Sequence, residues 1–372
     1  MSEHVKLSEV CEILNSNVDK KIKENEQKVK LCNFTDVYNN WAITKYTSKK
    51  FMKATATQNE INKFSLKKGY VAITKDSETK DDIGISTYIA DNFDNVLLGY
   101  HCTLLKPNQK VLNGKFLNAY LNSFYGRKYF SNCASGSGQR YTLTIDTIKD
   151  LNIPLINIET QQKIARTLSI LDQKIENNHK INELLHTLAY KIYEYYFKYK
   201  PKNAKLEQII IENPKSSIMV KNAQKTQDKY PFFTSGDNIL SYPKAIIDGR
   251  NCFLNTGGNA GIKFYVGKAS YSTDTWCICA NEFSDYLYLL LSSIKTHINQ
   301  SFFQGTSLKH LQKNLLKKHP IYMPSVHEIK KFNQIMMPLL TLISINTRTS
   351  KKLEQIRDFL LPLLLKQQVK PK

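Results

Sequence analysis

The sequence predicts an α+β chain: two β-rich, mixed α/β domains separated by two long antiparallel helices, the second half of the chain repeating the first. Three observations carry this. An apolar stripe at helical spacing occurs twice, the two copies share one polar irregularity, and the same order of short strands, helix and small-residue loop precedes each copy.

The first stripe runs through Ile164, Leu168, Leu171, Ile175, Asn178, Ile181, Leu185, Leu188, Ile192 and Tyr195. Moving 168 residues along gives Phe332, Met336, Leu339, Ile343, Asn346, Thr349, Leu353, Ile356, Leu360 and Leu363. Steps of three and four keep one face of a helix against a partner. Both copies place an Asn between two steps of three, where a continuous heptad needs a step of four. The reading is that Asn178 and Asn346 pair with each other and fix the register, since a lone seam Asn penalises every other alignment. The expected seam is Leu171, Ile175, Asn178, Ile181, Leu185, Leu188 and Ile192 against Leu339, Ile343, Asn346, Leu353, Ile356 and Leu360.

Helix starts are expected inside the stripe. Pro338 suits a first turn and breaks an interior, and Ser169 with Asp172 three residues on has the form of a capping box. From Leu171 to Phe197 the rod is then roughly 40 Å long at ~1.5 Å per residue.

Before each long helix lie β-rich runs, Tyr70–Thr74 and Val96–Leu105 in the first half, Asn251–Asn255 and Thr275–Cys279 in the second. An amphipathic helix follows, Phe116 to Phe130 and Ser284 to Ile298. A small-residue loop closes each series, Ala134–Arg140 and Gln304–Lys309. With the linker around Pro201, the expected divisions are 1–152, 153–198, 199–318 and 319–372.

Lys and Arg number 53 against 32 Asp and Glu, a net charge of +21. Residues 1–150 hold +6 of it, 151–197 none, 198–318 +9 and 319–372 +6. The excess flanks the neutral central helix and points to a polyanion, nucleic acid before an anionic membrane. No signal pattern opens the chain and no apolar run nears the ~20 residues of a membrane span, so a cytoplasmic protein is expected. Seven cysteines with no CxxC pair read as buried thiols of a reducing compartment.

Catalytic motifs are missing. Gly257-Gly258-Asn259-Ala260-Gly261 lacks the Lys-Ser/Thr of a phosphate loop, and Asn213-Pro214 is followed by Lys215-Ser216 rather than the Pro-aromatic pair of amino-methyltransferases. His and carboxylate residues show no metal spacing. What remains is binding. Two basic domains joined by a rigid spacer suit duplex DNA, where Lys and Arg sit on phosphates and loop side chains reach base edges. The candidate DNA contacts are Lys75, Lys80, Ser137, Gln139 and Arg140 in the first domain, and Arg250, Asn259, Lys263, Thr306, Ser307 and Lys309 in the second. Each taken alone also fits a solvated turn residue; the inference concerns the set. A stand-alone basic architectural or scaffold protein fits the same features.

The run Pro154-Leu155-Ile156-Asn157-Ile158-Glu159-Thr160-Gln161-Gln162-Lys163-Ile164-Ala165 resembles the Pro-Leu-Pro-x-x-Glu-x-Gln-x-x-Ile-Ala signature of the specificity (S) subunits of type I restriction-modification systems. Likeness extends over about residues 5–365, and Gly136–Leu143 and Asp146–Leu151 resemble the end of a target recognition domain. Pro324–Lys331 lacks the Gln pair. The resemblance implies a non-catalytic subunit with two target recognition domains, each reading half of an asymmetric bipartite DNA sequence, the helix pair setting the gap. It implies two methyltransferase (modification) subunits and restriction/translocation subunits as partners, with S-adenosylmethionine, ATP and Mg bound there rather than on this chain. It also offers the cluster Tyr190, Tyr193, Tyr195, Tyr196, Phe197 and Tyr199 as a docking surface, against packing of that helix end on its own domain.

Overall fold

A computed structural model describes residues 3–137, 140–223, 229–236 and 239–366. It forms two compact units, residues 1–173 with 356–372 and residues 174–355.

In the first unit the main sheet has the order Cys11–Asn15, Cys102–Pro107, Val71–Thr74, Ser86–Ile89 and Ala42–Ile43, antiparallel until the last, parallel pair. Val71 to Thr74 is buried on both faces, so it reads as an unbroken apolar run rather than an alternation. Its side chains divide by pleat. Val71, Ile73 and Leu105 join the cluster around Phe116, Leu117 and Phe130, while Ala72, Cys102 and Leu104 face the cluster around Phe51 and Leu66. A smaller sheet centres on Gln27–Cys32, antiparallel to Met52–Ala56 and parallel to Val96–Leu98.

The second unit builds the same pattern. Ile211–Glu212, Thr275–Cys279, Arg250–Asn255 and Ile262–Val266 lie in that order, all antiparallel. Its smaller sheet centres on Tyr230–Phe233, antiparallel to Leu240–Tyr242 and parallel to Ser270–Tyr271. Order and sense match in four strands of the main sheet and in all three of the smaller one, as duplication requires; among the described residues the parallel strand Ala42–Ile43 has no counterpart in the second unit. A short antiparallel pair leads into each long helix: Glu3–Lys6 with Asn152–Leu155, and Ala204–Lys205 with Pro320–Ile321.

The long helices are continuous from Ile158 to Tyr193 and from Val326 to Leu365. They start earlier than the periodicity predicts. Asn157 caps the first, its Oδ1 accepting from the Thr160 N–H at 2.8 Å, and Ser325 with Glu328 forms a reciprocal capping box on the second. Ser169 is mid-helix and its hydroxyl donates to the Ala165 carbonyl at 2.7 Å. Pro338 lies inside the second helix, held there by the packing of Met336, Leu339 and Leu340 around it. A π turn, Glu194–Lys198, ends the first helix and folds Tyr193 and Phe197 into the core of the second unit, while Tyr195 and Tyr199 stay exposed.

The seam also departs from expectation. In the second unit Ile175, Leu185, Ala189, Ile192, Leu339, Leu340 and Ile343 turn inward or partly so, whereas Ile181 and Leu188 are exposed. Within the first unit Leu168 meets Leu361 and Leu364, with Leu360 packed against them; Leu171 is half-buried and Ile356 exposed. Asn182 takes the inward place that Ile181 was expected to fill. This supplies the missing step of four, so Ile175, Asn178, Asn182, Leu185, Ala189 and Ile192 form a regular heptad face. Asn178 and Asn346 do not bond each other. The Asn178 Nδ2 donates to the Ser350 Oγ at 3.2 Å, and the Asn346 Nδ2 donates to the Asn182 Oδ1 at 2.9 Å. Ser350 is Asn182 plus 168, so the exchange is reciprocal between the two copies.

Candidate nucleic-acid interface

Each unit brings three loops together at the ends of two interior strands of its main sheet through the same backbone hydrogen bonds. In the first, the Lys75 N–H donates to the His101 carbonyl at 3.1 Å and the Leu143 N–H to the Lys75 carbonyl at 2.8 Å. In the second, Thr256 N–H donates to the Asp274 carbonyl at 3.1 Å and Leu311 N–H to the Thr256 carbonyl at 3.0 Å. Lys75 thus corresponds to Thr256, His101 to Asp274 and Leu143 to Leu311. A hairpin lies over each frame, Ser135–Ser137 with Arg140–Thr142 and Phe303–Gln304 with His310–Leu311. Gly136 and Gly305 take φ of +152° and +143°, and a Cβ there would collide with the Arg140 or Leu308 carbonyl.

The first tip is ionic. Asp76 pairs in register with Thr142, and its Oδ2 lies 2.7 Å from His101 Nδ1 and 3.2 Å from Arg140 Nη2. His101 Nδ1 is also 3.0 Å from that Nη2. One ring proton cannot serve both contacts. With Nδ1 protonated, the carboxylate accepts from imidazole and guanidinium together, which leaves no donor facing a donor except across the short imidazole–guanidinium edge. Lys75 lies 4.8 Å over the Tyr100 ring and Lys80 5.5 Å over Tyr141. Lys75, Lys80 and Arg140 are therefore assembled on one surface. Ser137 pairs with Arg140 through its backbone, and Gln139 lies outside the described residues.

In the second unit the candidates divide. Asn259, Thr306, Ser307 and Lys309 are exposed, and Gly258 N–H donates to the Lys309 carbonyl at 2.9 Å, which joins the glycine loop to the hairpin. Lys263 is drawn beneath the loop: its Nζ donates to the Thr234 and Gly236 carbonyls at 2.7 and 2.6 Å. Arg250 stands at the opposite end of its strand from this frame. Its Nε and Nη2 grip Asp285, only 1% exposed, at 2.6 Å each, and its Nη1 donates to Thr341 Oγ1 at 3.0 Å. Desolvation raises the Asp285 carboxyl above its ordinary range and the guanidinium opposes that. Arg250 is a structural tie to the long helix, a correction to its assignment as a DNA contact, and Lys263 serves chiefly as a loop strut.

His101, Tyr100 and Leu308 were not among the candidates. A lone His after a strand carries no spacing signal, and the partnership becomes visible only when residues 76, 101 and 140 meet. Gln161 of the signature is buried: its side chain donates to the Val111 and Ile156 carbonyls and accepts from the Asn113 N–H. Ile329 occupies the corresponding place in the second copy, buried among apolar neighbours. The missing Gln is thus a polar strut replaced by an apolar one. Among the described residues no three His, Cys, Asp or Glu side chains are grouped to hold a metal ion, and no helix is long and apolar enough to cross a membrane.

The family model for the type I restriction modification DNA specificity domain matches residues 2–187 and, again, 202–355. The chain belongs to that family. Its members are the non-catalytic DNA-recognition subunits of type I restriction-modification systems. The HindI specificity subunit of Haemophilus influenzae is 30% identical over 149 residues, 40% of this chain and 32% of that protein, so the match spans about a third of that relative. The MjaIX specificity subunit of Methanocaldococcus jannaschii is 25% identical over 341 residues, 80% of this chain and 74% of that protein. The crystal structure of the type I S subunit from M. genitalium has the same fold, with 16% identity, a TM-score of 0.56 and coverage of 98% and 96% of the two chains.

Proposed function

We propose that this specificity subunit reads an asymmetric, bipartite duplex sequence in the cytoplasm, one half with each tip, and that the paired helices set the gap. The divisions are then 1–152 and 199–318 as target recognition domains, with 153–198 and 319–372 as the helical spacer. The single observation that carries the reading is the backbone frame built twice with different side chains: Asp76, His101 and Arg140 at one tip, Gly257, Asp274 and Leu308 at the other. Two readers of one shape and unlike chemistry suit two unlike half-sites. Contacts are assigned to Lys75, Lys80, Ser137, Gln139 and Arg140 in the first, and to Asn259, Thr306, Ser307 and Lys309 in the second.

The chain also scaffolds two methyltransferase subunits and the restriction/translocation subunits. S-adenosylmethionine, ATP and Mg belong to those partners. Methylome sequencing of a host that expresses this chain with its neighbouring gene products tests the reading: the expected result is one modified motif with two unlike halves. Inserting one heptad at Asn178 and another at Asn346, ~10 Å of helix each, lengthens the gap and keeps both halves. A contiguous motif, or an unchanged gap, overturns the spacer. Purification of a monodisperse DNA-binding monomer without methyltransferase chains supports the architectural alternative instead.

A further inference from the structure

We propose that Arg140 reads the major-groove edge of a guanine, and that Asp76, together with His101, is the positioning residue that holds the guanidinium for it. This rests on the proposed DNA-reading role of the tip and names what one half-site must contain. Arg140 is 58% exposed at the hairpin, while the Asp76 side chain beneath it is 15% exposed. The carboxylate grips one terminal nitrogen, Nη2, from below, and a planar fork steadied through one nitrogen presents its remaining donors as a unit. A pair of fixed, parallel donors matches the O6 and N7 acceptors of guanine and no other base edge.

A phosphate contact needs no such arrangement. Phosphate accepts from any cation, and a carboxylate set beside it repels it. Placing Asp76 directly beneath Arg140, beside Lys75 and Lys80, weakens attraction to the backbone in return for orientation. His101 shares the same oxygen, at 2.7 Å, and pins the carboxylate. The second tip supplies the control within the molecule. Where the frame repeats, Gly257 stands at the place of Asp76 and Leu308 at that of Arg140, so the two members of this pair are lost together, although Asp274 stands at the place of His101.

The test uses the full chain and a pool of duplexes with a randomised segment, the bound fraction being sequenced for the parent and for Arg140→Ala, Arg140→Lys and Asp76→Ala. The expected result is a selected sequence containing a guanine whose preference over other bases falls roughly 5- to 150-fold in Arg140→Ala, the span of one bidentate contact. All other positions keep their preference. Arg140→Lys loses the guanine too, since an ammonium lacks the fork. Asp76→Ala weakens the same guanine and, with one negative charge gone, holds or raises affinity for a duplex lacking the selected sequence; a merely structural role would lower every position alike. Equal loss at all positions, or rescue by Arg140→Lys, makes Arg140 a phosphate contact and overturns the proposal while DNA reading stands. A parent chain that selects no common sequence overturns the DNA-reading function itself.

Discussion

The two tips share a skeleton and differ in chemistry. Main-chain bonds from residues 75 and 143 recur at 256 and 311, with lengths within about 0.2 Å, while an Asp–His–Arg cluster stands against Gly257, Asp274 and an exposed Leu308. Backbone groups where interior strands end must be paired whatever the side chains do, so a duplicated frame survives. Side chains that point outward from it cost little to exchange. A protein built this way can change what it binds without changing how it folds.

The same distinction separates its two candidate arginines, and it can be broken most forcefully there. Arg250→Ala leaves Asp285 buried without its partner and costs about 3–5 kcal/mol; a thermal melt followed by fluorescence of Trp276 should show loss of the second unit. Arg140→Ala, at the exposed start of a hairpin strand, changes stability by about 0.5 kcal/mol or less. Equal destabilisation by the two would erase the division between interior tie and outward reader.

Substituting Ala for Gly136 or Gly305 sharpens the comparison at the next level. The added Cβ meets a backbone carbonyl at a positive φ, which costs about 1–3 kcal/mol of local strain. Each variant should degrade one half of the selected sequence only, read by the same pool selection; damage to both halves would deny that the tips act separately. Leu308→Ala should have a smaller effect, a loss of less than about tenfold confined to the second half, as for an apolar contact with a thymine methyl group.

The helix starts provide the mildest contrast. Glu328 accepts from the Ser325 backbone and from Tyr322, which holds its pKa down at about 2, while Asn157 caps the other helix with a neutral amide. The folded value lies below the unfolded ~4.3. The glutamate's contribution is therefore present above that range and is lost as pH falls toward about 2. Amide protection relative to the intrinsic exchange rate should fall at residues 326–329 over that interval in the parent but not in Glu328→Gln, and residues 158–161 should show no matching change.

Much of this was legible beforehand, and the reasons for the rest are physical. Ten matched positions 168 residues apart announce duplication and paired helices, because periodicity reports which face is buried. Periodicity favours Ile181 over Asn182, however, since the value of a seam amide depends on a partner, Asn346, that lies on another segment. Pro338 suggested a start because an isolated helix breaks there; packing of its neighbours overrides that preference. Arg250 and Lys263 looked like DNA contacts because charge alone does not reveal whether a cation faces Asp285, a loop carbonyl or water. The capping box at Ser325 is present in the sequence but lies ahead of the apolar stripe, which starts at Phe332, so periodicity does not point to it.

The crossed amides Asn178–Ser350 and Asn346–Asn182 carry a consequence for how the paired helices can change length. An insertion in only one rod slides its amide past its mate and strands a polar group among apolar side chains. Growth must therefore come as matched additions to both strands of the pair, and the distances available to descendants of this chain form a ladder with discrete rungs rather than a continuum.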